Sequence, residues 1–113
     1  MSLSTDTLRG YTDTIILRQL EAGDSYGYSL NKQIRELSDG LLELKEATLY
    51  TAFRRLEAGG WIRSWWGNES SGARRRYYTL TEEGRRKLRE DQAEWQETRA
   101  ILDRLIKGGQ EDE

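Results

Sequence analysis

Between Gly59 and Thr81 the periodicity of the chain changes, and that change restricts what it can fold into. Up to Ala58 the apolar residues recur at helical spacing. From Trp61 to Trp66 the run Trp-Ile-Arg-Ser-Trp-Trp is rich in strand-formers. Gly67 to Arg74 is a polar, glycine-containing loop, and Arg75 to Leu80 returns as a second strand. Thr81 then caps a long helix with Glu82 and Glu83 in its first turn, where the helix dipole favours acids. A hairpin with a long tip is thus set between two helices.

Three helices are predicted before it. Leu8, Tyr11, Ile15 and Leu20 mark a first helix over about Thr7–Ala22, ended by Gly23. Ile16 and Leu17 widen its apolar face, so it needs two partners: its own domain, and another helix or subunit. Asp24 or Ser25 is expected to cap a second helix with a Tyr26, Leu30, Ile34, Leu37 stripe, stopped by Ser38-Asp39-Gly40. A third, from about Lys45 to Ala58, buries Leu49, Ala52, Phe53 and Leu56 before Gly59-Gly60. Proline is absent, which lets the helices run without breaks. The order describes a mainly α chain with a small β-hairpin, an α+β fold. The expected organisation is a winged helix-turn-helix over residues 1–80, a dimerisation helix over 81–107 and a disordered acidic tail over 108–113.

A length of 113 residues suits one domain. With 35% hydrophobic and 34% charged residues its core is thin, which favours burial against a second copy. There is no cysteine and no histidine. The commonest zinc ligands and the commonest general base are therefore missing. No paired carboxylates and no phosphate-cradling glycine loop stand out, so an enzyme is disfavoured and no cofactor is expected. No apolar run reaches membrane length and no signal pattern opens the chain, so a cytoplasmic protein is expected.

Charge is distributed unevenly. From Lys45 to Arg89 there are 11 Lys/Arg against 5 Asp/Glu, a net of +6, inside a chain of net −2. Phosphate binding depends on the field at the contacting face rather than on the total. On the third helix Ala47, Thr51 and Arg54 lie opposite the buried stripe, flanked by Lys45, Thr48, Tyr50 and Arg55. Small residues allow close approach to a groove. Hydroxyls reach phosphates or base edges, and Arg can bond guanine bidentately. Any amphipathic helix has a polar side, however, so the helix alone leaves a solvated face equally open. The triplet Arg74-Arg75-Arg76 tilts the balance, because three adjacent cations repel one another unless something compensates, as a phosphate backbone would. Arg74 and Arg75 are expected on DNA beside a close-approaching Ser71-Gly72 tip. Arg76 is expected to be structural, paired with an acid or stacked on Trp65. For most of Trp65, Trp66, Tyr77 and Tyr78, strand packing is the better reading. The competing reading is a winged-helix module that binds protein and never DNA.

In the last helix Leu88, Trp95 and Leu102 lie seven apart, joined late by Leu105 and Ile106. Around Trp95 this seam is polar. Either Trp95 fills the gap alone, packed on Ile15 or Ile16, or the seam is open. In the open reading two symmetry-related Trp95 rings line a cavity for a planar aromatic effector, with Leu8, Ile15, Asp91, Gln92 and Arg99 around it. Asp91 and Glu94 would favour cationic compounds, and Arg99 would oppose them.

Three segments together resemble the PadR family of transcriptional regulators: Glu46-Ala47-Thr48-Leu49-Tyr50, Arg55-Leu56-Glu57-Ala58-Gly59-Gly60-Trp61-Ile62, and Arg75-Arg76-Tyr77-Tyr78-Thr79-Leu80-Thr81-Glu82-Glu83-Gly84. The short length and single C-terminal helix are similar to the small branch that includes a lactococcal multidrug-resistance repressor. The resemblance implies a prokaryotic homodimeric repressor that holds a double-stranded DNA operator. Its dimer would form through the first and last helices, and a small-molecule inducer would often relieve repression. Two-fold symmetry would call for a pseudo-palindromic site with half-sites roughly 34 Å apart or a multiple of that.

Overall fold

The structure is a computed structural model that describes residue 3 and residues 5–68 and 74–108. Its elements, in order, are α1 (Thr5–Leu8), α2 (Thr12–Glu21), β1 (Ser25–Tyr26), α3 (Gly27–Leu37), α4 (Glu46–Ala58), β2 (Ile62–Trp66), β3 (Arg76–Leu80) and α5 (Glu82–Lys107). The expected first helix is two helices. Gly10 takes φ +93°, a left-handed conformation that interrupts the helix and turns α1 away from α2.

The second correction concerns Asp24 to Tyr26. The helix cap expected at Asp24 or Ser25 is absent. Ser25 and Tyr26 instead form β1, which pairs antiparallel with β3, Ser25 opposite Tyr78 and Tyr26 opposite Tyr77. Helix α3 begins only at Gly27, and Leu37 at the end of its supposed stripe is exposed. The sheet is three-stranded, in the order β1-β3-β2. Its β2–β3 half is the expected hairpin, in a register that sets Ile62 opposite Leu80 and Trp66 opposite Arg76.

One core holds these elements together. Ile16, Leu17 and Leu20 of α2, Leu30 and Ile34 of α3, and Leu49, Phe53 and Leu56 of α4 meet Ile62, Tyr78 and Leu80 of the sheet and Leu88 of α5. Phe53 stacks on Tyr78 at 3.9 Å between ring centroids. Burial raises the Tyr78 phenol above its ordinary value, with Glu57 adding to the rise and Arg76 working against it. The loop between α3 and α4 is fixed by side chains. Asn31 Nδ2 donates to the Leu44 carbonyl at 2.7 Å and its Oδ1 accepts from the Leu44 amide at 3.0 Å, while Ser38 Oγ accepts from the Leu42 amide at 3.0 Å. Helices α3 and α4 thus form a helix-turn-helix and the β2–β3 hairpin its wing, a winged helix-turn-helix.

Helix α5 leaves this core at a fixed angle. Thr81 Oγ1 accepts from the Gly84 amide at 3.0 Å, a cap of about 1 kcal/mol. The same hydroxyl donates to the Gly60 carbonyl at 2.7 Å, so cap and turn lock each other. Gly84 is pressed against the Trp61 backbone, and a Cβ there would stand 2.1 Å from the Trp61 carbonyl oxygen. Beyond Leu88 no residue of α5 is buried. The helix stretches the molecule to 62 Å along its longest axis and leaves Ile101, Leu102, Leu105 and Ile106 exposed. Of the expected tail, all but Gly108 lies outside the described residues. No described helix is long and apolar enough to cross a membrane.

Candidate nucleic-acid interface and adjoining groove

Helix α4 turns Leu49, Ala52, Phe53 and Leu56 into the core. That burial leaves Ala47, Tyr50, Thr51 and Arg54 exposed, with Lys45 at the helix start and Thr48 half-buried. Arg54 donates to Thr51 Oγ1 at 3.3 Å, which aligns both along the outer face. Tyr50 is less free than its exposure suggests. Its ring meets Phe53 edge-on at 5.5 Å, and its hydroxyl stands over Gly27, where a Cβ would come within 2.5 Å of it. The hydroxyl is therefore held at the start of α3, in an open groove of about 450 Å³ between α3 and α4 that Lys45 also lines.

Arg55 is placed differently from its neighbours. It turns back across the domain, its Nε donating to Asp13 Oδ2 of α2 at 3.1 Å and its Nη2 to the other carboxylate oxygen. The Asp13 hydrogen bond raises the Arg55 pKa, partly offset by burial. A guanidinium held by two bonds to a carboxylate is a poor donor to a groove, and sequence spacing carried no sign of a partner 42 positions away.

The wing sorts the arginine triplet by face, since side chains alternate along a strand. Arg76 shares a face with Ser64 and Trp66. It donates to Ser64 Oγ at 2.8 Å and pairs with Glu57 of α4 at 3.5 Å, while Ser64 Oγ donates to Glu57 at 2.7 Å. This is the structural role expected of Arg76, but its aromatic neighbour is Trp66 rather than Trp65. Arg74 lies over the same Trp66 ring, 5.1 Å from its centroid. Arg75 is on the other face, over Tyr26 of β1 at 4.7 Å. Trp65 stacks on Tyr77 at 4.6 Å and donates its indole N–H to Thr79 at 2.9 Å and Asp24 at 3.2 Å. Ser71 and Gly72 lie outside the described residues.

The remaining cations of the basic stretch are largely matched. Arg85 and Arg89 both reach Glu21 of α2, Arg86 pairs with Glu83 at 3.4 Å, and Lys87 pairs with Asp91 at 3.3 Å. Among the described residues no carboxylate pairs with Lys45, Arg54, Arg63 or Arg74.

On the far side of α2, an open groove of about 830 Å³ runs between α1–α2 and α5. Trp95 stands in its wall, 40% exposed, and meets Tyr11 edge-on at 5.2 Å. Tyr11 was not anticipated as its partner. It stands at the start of α2, its carbonyl accepting from the Ile15 amide at 3.0 Å, one turn before Ile15 on the groove side of that helix. Leu8, Ile15, Asp91 and Gln92 also line the groove, and Arg99 lies outside the lining. Asp91 is already engaged by Lys87 and by the Thr14 hydroxyl at 3.0 Å, and Gln92 accepts from Arg89 at 2.7 Å. Glu94 is the groove carboxylate without an ion pair among the described residues.

Comparison with known proteins converges on one family. The model of the PadR-like family of transcriptional regulators matches residues 16–90. A solved structure of a transcriptional regulator from Clostridium thermocellum is 45% identical, covers 90% of this chain and 99% of that one, and superposes with a TM-score of 0.85. A PadR family regulator from Clostridium difficile is 40% identical over 86% of this chain and 99% of that one, with a TM-score of 0.76. An uncharacterised protein of Lysinibacillus sphaericus is 38% identical over 104 residues, 92% of this chain and 95% of the relative. The chain belongs to the PadR-like family of transcriptional regulators.

Proposed function

We propose that the protein is a dimeric DNA-binding repressor whose hold on its operator is modulated by a planar, cationic small molecule. One observation carries the DNA half of this reading: among the described residues, the cations that no carboxylate meets include Lys45 at the start of α4, Arg54 on α4 and Arg74 on the wing. Helix α4 would enter the major groove, with Ala47 allowing approach and Thr51 and Arg54 facing the bases. Arg74 and Arg75 would meet the flanking backbone. Tyr50 and Lys45 would meet a phosphate at the start of α3, where the helix dipole favours an anion.

The exposed Ile101, Leu102, Leu105 and Ile106 would be covered by the partner's α5. The Trp95 groove would then be closed by the second copy. Trp95 and Tyr11 would hold a flat aromatic compound, and Glu94 would favour a cation.

Replacing Arg54 and Arg74 with Ala tests the reading in a gel-shift experiment alongside sedimentation. Lost DNA binding by an intact dimer supports it. Undiminished binding contradicts the assigned interface, and failure of the unaltered protein to bind duplex DNA would favour a protein-binding wing. Ligand response has its own test. Ethidium should quench indole fluorescence in the parent protein and lose most of that effect in Trp95→Ala, which controls for the other three tryptophans.

A further inference from the structure

Trp66 is not explained by the core. It shares the inner face of the wing with Ile62 and Ser64, opposite Arg76, Leu80 and Tyr78. Along that face Ile62, Leu80 and Tyr78 are buried, and the Ser64–Glu57–Arg76 network joins the sheet to α4. One step further out on the strand lies Trp66, 52% exposed. A bare indole at the end of a strand adds little to folding. Yet two guanidiniums converge on it, Arg74 at 5.1 Å and Arg76 at 5.5 Å from the ring centroid. The ring's negative face attracts both cations and holds them beside one another, although they repel. Arg76 is already committed to Glu57, whereas Arg74 has no carboxylate among the described residues. The result is an apolar plate edged by cations, on the side of the wing that faces α4. Such a surface matches a sugar–phosphate strand, apolar on the deoxyribose and anionic on the phosphates.

We infer that Trp66 is a DNA-contacting residue of the wing, its indole packing on deoxyribose while Arg74 neutralises the adjoining phosphate. This rests on the DNA-binding reading above. The contact is non-ionic and independent of base sequence, so its signature differs from that of an arginine. Removing a phosphate contact lowers the slope of log affinity against log salt by about 1, whereas removing an apolar contact shifts the line without tilting it.

The test titrates a mixed-sequence duplex of about 30 base pairs against the full-length protein across a salt series. Trp66→Ala should bind roughly tenfold more weakly at every salt concentration with an unchanged slope, as expected when a half-exposed indole can no longer be covered. Trp66→Phe should fall between it and the parent, and Arg74→Ala should flatten the slope. Unchanged affinity in Trp66→Ala overturns the inference. A flattened slope matching that of Arg74→Ala also overturns it, because the ring would then only position the arginine. A melting temperature lowered by more than about 5 °C would assign the ring to the fold and overturn it as well. Failure of the parent protein to bind the duplex sinks the DNA reading and this inference together. Parent binding with an unaffected Trp66→Ala sinks the inference alone.

Discussion

The protein has two arginine-rich regions, and they do opposite things with similar charge. The start of α5 carries Arg85, Arg86, Lys87 and Arg89, four cations in five positions. All four are met by carboxylates, from Glu21 of α2 or from within α5. The outer face of α4 and the wing carry Lys45, Arg54, Arg63 and Arg74, which no described carboxylate meets. Two more arginines of the second region, Arg55 and Arg76, are anchored to Asp13 and Glu57 and hold α4 to α2 and to the wing. A count along the chain gives every one of these residues the same weight. The field presented to a partner comes from the subset that the fold leaves without counter-charges.

This contrast can be broken or sharpened by substitution. The largest effect is expected where α5 joins the core by shape rather than charge. Gly84→Ala forces a Cβ against the Trp61 carbonyl and should cost about 3 kcal/mol or more in denaturant unfolding. A neutral result would show that the junction can give, and that the Glu21 bridges fix α5 instead. Next in size, Leu105→Asp with Ile106→Asp should convert a dimer to monomer in sedimentation, because two charges would replace the most exposed apolar residues of α5. A persistent dimer would place the subunit contact elsewhere.

Smaller effects separate anchoring from binding cations. Arg55→Ala should lower stability by about 0.5–1 kcal/mol, the modest value of an ion pair whose guanidinium is half exposed. The salt slope of DNA binding should be unchanged. A slope reduced as much as in Arg54→Ala would return Arg55 to the DNA face. The smallest effect is confined to alkali. The folded Tyr78 phenol titrates above its unfolded value near 10.0, because burial disfavours the phenolate. Its stabilising contribution is therefore complete below that pH and is lost as pH rises through the folded value. Tyr78→Phe should flatten this alkaline loss in a pH series of thermal melts. An unaltered profile would mean that another group governs it.

What could be read in the sequence was mostly local. The Thr81 cap, the two wing strands and the buried stripe of α4 follow from neighbours within a few positions. The period change after Gly59 fixed the class of fold. The break at Gly10 was hidden because apolar spacing continues across it, and a positive φ leaves no trace in periodicity. Strand β1 is two residues long, too short to show alternation, and exists only because β3 offers it an edge. The site was legible as a set of candidates. Which arginines are anchored depends on acids 19 and 42 positions away, and the Tyr11–Trp95 contact joins helices far apart in the chain. The family motifs located α4 and the wing, whereas the division of labour among their cations required the three-dimensional pairing.

The most direct measurement of that division is the salt dependence of duplex-DNA affinity in three proteins compared side by side: the parent, Arg54→Ala/Arg74→Ala, and Arg85→Ala/Arg86→Ala. The parent should show a steep loss of affinity with salt, and the α4–wing pair should reduce the slope by about 2. The α5 pair should leave it unchanged. A slope that falls equally in both double variants, or that falls only in the α5 pair, would contradict the account.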